Sequence, residues 1–317
     1  MDLKELIHTS ADRLDEAKVA FGHGTLNAQD EAAWLVLWQL KLPLDLDFTE
    51  DMLCTQERAT AMNLNLNVAD ISASHIQACQ ALIEQRIQTR KPAAYLTREA
   101  WLQGIPFYVD ERSIVPRSFI AELISDGAFD TWLAETSHWF LDLCTGNGSL
   151  AVLCALAYPE IEVIGADISK DALAVAKINV DQHQLSQRIQ LVESDGLRGL
   201  TQTFDCIICN PPYVCEASMQ GLPAEFKAEP LLALAGGTDG MDFIRQLFLD
   251  LPDRMSHKAI LILEIGNERE HFEAAFPRLE AVWLETSAGE DQVLLVTKEA
   301  LLKIDTKSLK KSPLGRL

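Results

Sequence analysis

The residues Asn210-Pro211-Pro212-Tyr213 directly follow the apolar run FDCIIC. An Asn side-chain oxygen beside a Pro carbonyl can accept both hydrogens of one planar NH2 group. Such a nitrogen, in an amide or on a base, is a poor nucleophile because its lone pair is delocalised. It reacts only when it is oriented in line with an electrophile. Pro211 and Pro212 hold φ near about −65°, so the carbonyl is aimed before any ligand arrives. Tyr213 offers a flat face for a planar group to stack on. These four residues therefore suit transfer to an amide-type nitrogen by positioning, without a strong base. The plain reading, a Pro-rich strand exit, is disfavoured by its place beside a Gly-rich loop.

That loop is Leu141-Asp142-Leu143-Cys144-Thr145-Gly146-Asn147-Gly148. Glycines at a strand-to-helix turn bring backbone close to a ligand and leave helix N-terminal amides pointing at it. Asp167 closes the next strand, twenty-one residues after Gly146, where a carboxylate can accept from two ribose hydroxyls. Asp195-Gly196-Leu197 closes the third. Asp195 there can accept a hydrogen bond from an adenine amino group, while Leu197 and Ile168 pack on the ring faces. Each Asp alone reads equally as a helix cap. Three such sites at the carboxyl ends of successive strands point to a nucleoside-containing cofactor. The loop lacks the G-x-G-x-x-G order of nicotinamide sites and the Lys-Ser or Lys-Thr of triphosphate sites. A dehydrogenase is the disfavoured alternative.

Strands must position these groups, and the chain after His138 supplies them: WFLDL, EVIGAD, IQLVES, FDCIICN and AILILEIG alternate with helices that include one from about Ser149 and DALAVAKINV. Alternation implies a parallel sheet with helices on both faces. VWLET and QVLLVT, flanking a Gly-Glu-Asp turn, should pair antiparallel at one edge. The expected fold is thus α/β, Rossmann-like, with an antiparallel last strand.

Residues 1–91 read as a small helical domain, from the spacing of Leu3, Leu6, Ile7 and Leu14 and of Ile76, Leu82, Ile83 and Ile87. Asp30 marks a helix start and Pro43 its end. Trp34 and Trp38 line an apolar stripe that reads as core more readily than as a partner groove. Residues 92–116 suggest a hairpin linker and a plausible hinge or lid. The sheet domain spans 117–300, opening with a helix capped by Ser118. Residues 301–317 form a basic tail with Lys303, Lys307, Lys310, Lys311 and Arg316.

Of 317 residues, 48% are hydrophobic and 23% charged, the profile of a globular chain large enough for two domains. No apolar run reaches the roughly 18 residues of a membrane span, and the start lacks a signal-peptide pattern, so a cytoplasmic location is expected. Seven cysteines, an odd number, fit buried reduced thiols. Cys206 and Cys209 have C-x-x-C spacing, but an offset of three along a strand puts their sulfurs on opposite faces, so no metal site is expected. A formal charge of −20 disfavours binding a phosphate backbone and suits a basic protein partner.

DLCTGNG, GADIS, SDGL and NPPYV together resemble the class I methyltransferases, which use S-adenosylmethionine. AYLTREAWLQGIPFYVDERSIVPRSFIAELI and LPAEFKAEPLLALAGGTDGMDFIRQLF resemble more closely the protein-glutamine methyltransferases acting on release factors and ribosomal proteins. The EAW and FYVDER wording is most similar to the branch acting on the third large-subunit ribosomal protein. The resemblance implies a cofactor site of Arg117, Asp142, Thr145, Gly146, Gly148, Asp167 and Asp195, with Asn210 to Tyr213 holding the glutamine and the helical domain recognising the acceptor protein. Cys144 and Arg98 stand where the family commonly has Gly, and Asn147 where Ser is frequent. Cys144 matters if that position needs positive φ. A release-factor methyltransferase, a DNA or RNA amino-methyltransferase and a protein that senses the cofactor without turnover remain the competing readings. The oligomeric state is left open.

Overall fold

The computed structural model describes residues 1–48, 55–57, 60 and 67–304. Beyond Lys303, whose ammonium pairs with Glu280, the cations expected in the basic tail lie outside the described residues. The chain divides into two compact units, Met1–Glu99 with Pro223–Ala228, and Ala100–Leu222 with Glu229–Leu317.

The first unit is helical. Helices α1 (Leu3–Glu16), α2 (Ala28–Gln39) and α3 (Ala73–Thr89) start on Asp2, Asn27 and Ser72, whose side chains each accept a first-turn amide. Asn27, not Asp30, caps α2. The Asp30 amide donates to the Asn27 side chain, and the Asn27 amide group donates back to the Asp30 carboxylate. The helix also ends before Pro43, because Lys41 turns left-handed at φ 58°. A fourth, short helix, α4 (Ala93–Thr97), stands where the sequence suggested only linker. Leu3, Leu6, Ile7, Leu35, Val36, Leu82 and Ile83 form one core, and Trp34 and Trp38 pack partly buried against it.

Arg86 is fully buried in this core. It donates to Glu31 at 2.7 Å, to Glu225 at 3.3 Å and to the Ala20 carbonyl at 2.9 Å. Glu225 comes from the Pro223–Ala228 segment, and its neighbour Phe226 lies 4.2 Å from the His23 ring, centroid to centroid. One guanidinium thus ties a distant stretch of chain into the helical unit.

The second unit holds a seven-stranded sheet: β3 (Trp139–Leu143), β4 (Glu162–Asp167), β5 (Ile189–Glu193), β6 (Phe204–Cys209), β7 (Met255–Glu264), β8 (Val282–Thr286) and β9 (Gly289–Thr297). Their order is β5-β4-β3-β6-β7-β9-β8, parallel from β5 to β7 and antiparallel for β9 against β7 and β8. The β8–β9 turn is Ser287-Ala288, and the Gly-Glu-Asp read as a turn begins β9 instead. The inner strands β4, β3, β6, β7 and β9 are apolar on both sides and feed two cores. Leu141, Ile207, Cys209 and Leu261 face one, and Phe140, Cys206, Ile208 and Ile260 the other. Cys206 and Cys209 therefore lie on opposite faces, and the six described cysteines are free.

A small antiparallel hairpin, β1 (Ala100–Leu102) and β2 (Ile105–Phe107), precedes the sheet and belongs to this unit. It is fastened through α7 (Lys170–Gln182), where buried Asn179 exchanges hydrogen bonds with the Tyr108 backbone. Helix α5 (Ile120–Ser125) begins two residues after Ser118, whose hydroxyl accepts the Ile120 amide at 3.2 Å.

Replacing Arg86 by Met leaves buried Glu31 with the Thr25 hydroxyl and buried Glu225 with Arg90 at 3.4 Å, each without its shared guanidinium. We expect Arg86→Met to cost about 3–5 kcal/mol of stability. Urea denaturation followed by circular dichroism measures it, and a loss under about 1 kcal/mol would contradict this account of the core.

Candidate active site

The register of the parallel strands assembles the site. Leu143 pairs with Ala166 on one side and Cys209 on the other, and Asp167 pairs with Glu193. The segments that leave these strands, 144–148, 167–169, 194–197 and 210–213, therefore emerge along one sheet edge, at the carboxyl ends where open α/β sheets bind ligands.

Asp142, at the end of β3, is almost wholly buried. One carboxylate oxygen, Oδ2, accepts from the Thr145 hydroxyl and from the Ala151 amide in α6 (Ser149–Ala157). The other, Oδ1, is buried without a partner. Burial pushes the carboxyl up to about 7, against the lowering effect of those two bonds. An acceptor in this state is complementary to a cationic N–H donor, which would both satisfy the oxygen and restore its charge. Asp167 holds the loop from the far side, accepting the Gly146 amide at 2.9 Å and the Ser169 amide at 2.8 Å. Burial also raises its carboxyl. The Asn147 carbonyl is bonded to Asn179, so the hairpin and the loop share one anchor.

Gly146 and Gly148 have φ of 56° and 80°, and Cys144 has φ 62°. Cys144 and Arg98, at φ 56°, are the two positions at which the resembled sequences commonly carry Gly. Their side chains tolerate a conformation that costs a non-Gly residue about 1–2 kcal/mol.

At the end of β6, no described residue hydrogen-bonds the Asn210 side chain or the Pro211 carbonyl. The loop around them is tightly held. Val214 donates to the Leu234 carbonyl, and Gly236 donates to the Val214 carbonyl, each at 2.9 Å. A Cβ on Gly240 would lie 2.2 Å from the Tyr213 carbonyl oxygen, and one on Gly266 would lie 2.5 Å from the Tyr213 ring. Only glycine admits so close an approach. The Tyr213 hydroxyl donates to Glu264 at 3.3 Å, and burial followed by the Glu264 charge pushes the phenol upward. Glu264, at the end of β7, also accepts from the Ser118 hydroxyl at 2.5 Å and the Phe119 amide at 3.0 Å. Its own carboxyl is raised by burial.

The remaining expected residues are spread more widely. Ile168 is half exposed, whereas Leu197 is 3% exposed within the core, so only Ile168 presents an open apolar face. Asp195 is exposed and paired with Arg198, with Gly196 beside it at φ 57°. Arg117 is committed to Glu229, which accepts from it at 2.6 and 2.7 Å and also takes the Val115 amide at 2.9 Å. Glu229, Glu264, Gly240 and Gly266 were not singled out from sequence, and Ser118 was read only as a helix cap. The signal for Glu264, Gly240 and Gly266 was their place inside the EIG and GGTDG wording.

This strand order, with its antiparallel last strand and its carboxylate-bearing loops at the β3, β4 and β5 ends, defines a class I methyltransferase, and S-adenosylmethionine is the cofactor of that class. The Methyltransferase small domain family matches residues 129–228. The ribosomal protein uL3 glutamine methyltransferase of Bordetella pertussis is 46% identical over 304 residues, 94% of this chain and 96% of that protein. The enzyme of the same name from Burkholderia pseudomallei is 47% identical over 93% of this chain and 94% of that one. That from Neisseria meningitidis serogroup B is 43% identical over 95% and 94%. The chain belongs to the ribosomal protein uL3 glutamine methyltransferase family. Among the described residues, no helix is long and apolar enough to cross a membrane.

Because the Asp142 carboxyl titrates near 7 in the folded chain and near 3.8 when unfolded, the ligand-free fold loses stability as pH rises through that window. Asp142→Asn removes this dependence. Relative to wild type, the variant should gain about 2 kcal/mol between about pH 5.5 and about pH 8. Chemical denaturation at the two pH values measures the gain, and an equal difference at both would refute the burial of this charge.

Proposed function

We propose that this chain methylates the side-chain amide nitrogen of a glutamine in the large-subunit ribosomal protein uL3, with S-adenosylmethionine as donor. The observation that carries this reading is the pair of open acceptors, the Asn210 side-chain oxygen and the Pro211 carbonyl, at the strand end next to the Asp142 loop. When bound, S-adenosylmethionine supplies an electrophilic methyl group. Asp142, with its unpartnered Oδ1, fits a cationic amino group. Thr145, Gly146 and Gly148 shape the cradle, and Asp167 offers its remaining lone pairs to ribose hydroxyls. Ile168, Asp195 and Gly196 lie where the base would rest, and Leu197 supports them from the core. Arg117, held by Glu229, is a further residue of the cofactor site.

Asn210 and Pro211 each accept one N–H of the glutamine amide, and the fixed backbone of Pro211 and Pro212 keeps the two acceptors at the separation that group requires. Tyr213 stacks on the amide plane, and Glu264 holds the Tyr213 hydroxyl so that the ring cannot rotate away. The amide nitrogen sheds a proton after its new bond forms, so orientation supplies most of the rate and no strong base is needed. An acidic chain of charge −20 favours a basic acceptor such as a ribosomal protein and repels nucleic acid. The same acceptor places the enzyme in the cytoplasm. The helical unit, remote in sequence from the Asn210 loop, is the candidate for recognising the acceptor protein.

Asn210→Ala should nearly abolish methyl transfer while cofactor affinity stays within a few fold, because the side chain orients the acceptor. Transfer of labelled methyl to purified uL3, release factor, DNA and RNA tests both the variant and the substrate. Label on a uL3 glutamine is expected. Label only on release factor would change the partner, and label only on nucleic acid would overturn the reading. Asp167→Ala should weaken cofactor binding by about 1–3 kcal/mol, measured by calorimetry. Unchanged affinity would remove Asp167 from the site.

A further inference from the structure

Beyond the 210–213 loop, Cys215 at its exit meets Glu268 and His271, which open α8 (Arg269–Ala275) after β7. The sulfur of Cys215, a carboxylate oxygen of Glu268 and a ring nitrogen of His271 all lie within 4.8 Å of one another. The Cys215 amide donates to Glu268 Oε1 at 3.3 Å, and Glu268 Oε2 lies 2.5 Å from His271 Nδ1. Cys215 and Glu268 are buried, while 47% of the His271 side chain is exposed.

We propose that Cys215, Glu268 and His271 form a binding site for a zinc-class divalent cation that pins the exit of the Asn210 loop to the start of α8. The donor types are those of zinc: thiolate, imidazole and carboxylate. Ligand atoms around a tetrahedral zinc stand roughly 3.3–3.8 Å apart, given bonds of about 2.0–2.3 Å, so small side-chain rotations close the observed set around an ion. The backbone bond from Cys215 to Glu268 holds the carboxylate in place, as outer contacts do in metal sites. The exposed imidazole gives the ion a route from solvent, and a water completes the fourth position.

Binding replaces protons. The Cys215 thiol loses its hydrogen, now directed at Ser218 Oγ at 3.3 Å, and any proton held between Glu268 and His271 goes to solvent. No electron is transferred. The ion links two segments that already touch through the Cys215 amide and Glu268, beside Gly240, which packs against both Tyr213 and Glu268. Occupancy would therefore stiffen the backbone that carries Tyr213. This inference stands apart from the identity of the methyl acceptor.

Cobalt(II) titration of the chelator-treated full chain tests it. A thiolate-to-metal charge-transfer band saturating at one equivalent is expected, absent in Cys215→Ser, with affinity lowered about tenfold or more in His271→Ala. Zinc should raise the unfolding temperature of the wild type but not of His271→Ala, as binding to the folded state alone requires. His271 is exposed, so its variant keeps the test valid if Cys215→Ser does not fold. Absence of the band, or a band and thermal shift unchanged in His271→Ala, would overturn the site and assign any bound metal to other cysteines.

Discussion

The parallel register of β3 with its two neighbours is the constraint on which the site depends. Leu143 faces Ala166 and Cys209 across the ladder, so a Gly-rich loop and an Asn-Pro-Pro-Tyr loop leave the sheet side by side. A one-residue slip would exchange the faces of every strand side chain and move Asp142 and Asp167 out of reach of the loop they hold. The apolar residues on both faces prevent that slip, because each inner strand is committed to two cores at once. Packing far from the site therefore sets the distances within it.

Within that frame, buried carboxylates do the fine positioning, each in a different way. Asp142 shapes the loop with one oxygen and keeps the other open. Glu264 uses both oxygens to join Ser118, Phe119 and Tyr213. Glu229 binds Arg117 and the Val115 amide. Taking a charge out of water is costly, and each such group is held only where backbone amides or a guanidinium replace the lost solvent. The half-satisfied state of Asp142 is the exception. The Arg86 cluster applies the same physics in the helical unit, where it stabilises a fold instead of a site.

The same logic separates a protein amide from a nucleic-acid base as the acceptor. Both present a planar, conjugated NH2 to the same pair of acceptors, so the Asn210 loop alone does not discriminate. A chain of charge −20 makes association with a phosphate backbone unfavourable at long range and association with a basic protein favourable. The relatives named for uL3 agree with that reading.

Periodicity and turn chemistry in the sequence determined the alternating sheet, the helical segment, the loops at the ends of β3, β4 and β5, and the Asn-Pro-Pro-Tyr exit, because these depend on neighbours within a few residues. Helix ends were less legible. Asp30 and Ser118 both have capping side chains, and the choice of Asn27 and the later start of α5 rested on where the backbone turned. The roles of Glu264, Glu229 and the glycines at 240 and 266 were decided only by tertiary structure. Their partners lie tens to more than a hundred residues away, and no local pattern encodes which buried carboxylate will meet which hydroxyl or guanidinium. The same holds for the pairing of Arg117 with Glu229, and for Cys215, Glu268 and His271, which become neighbours only when β7 lies beside β6.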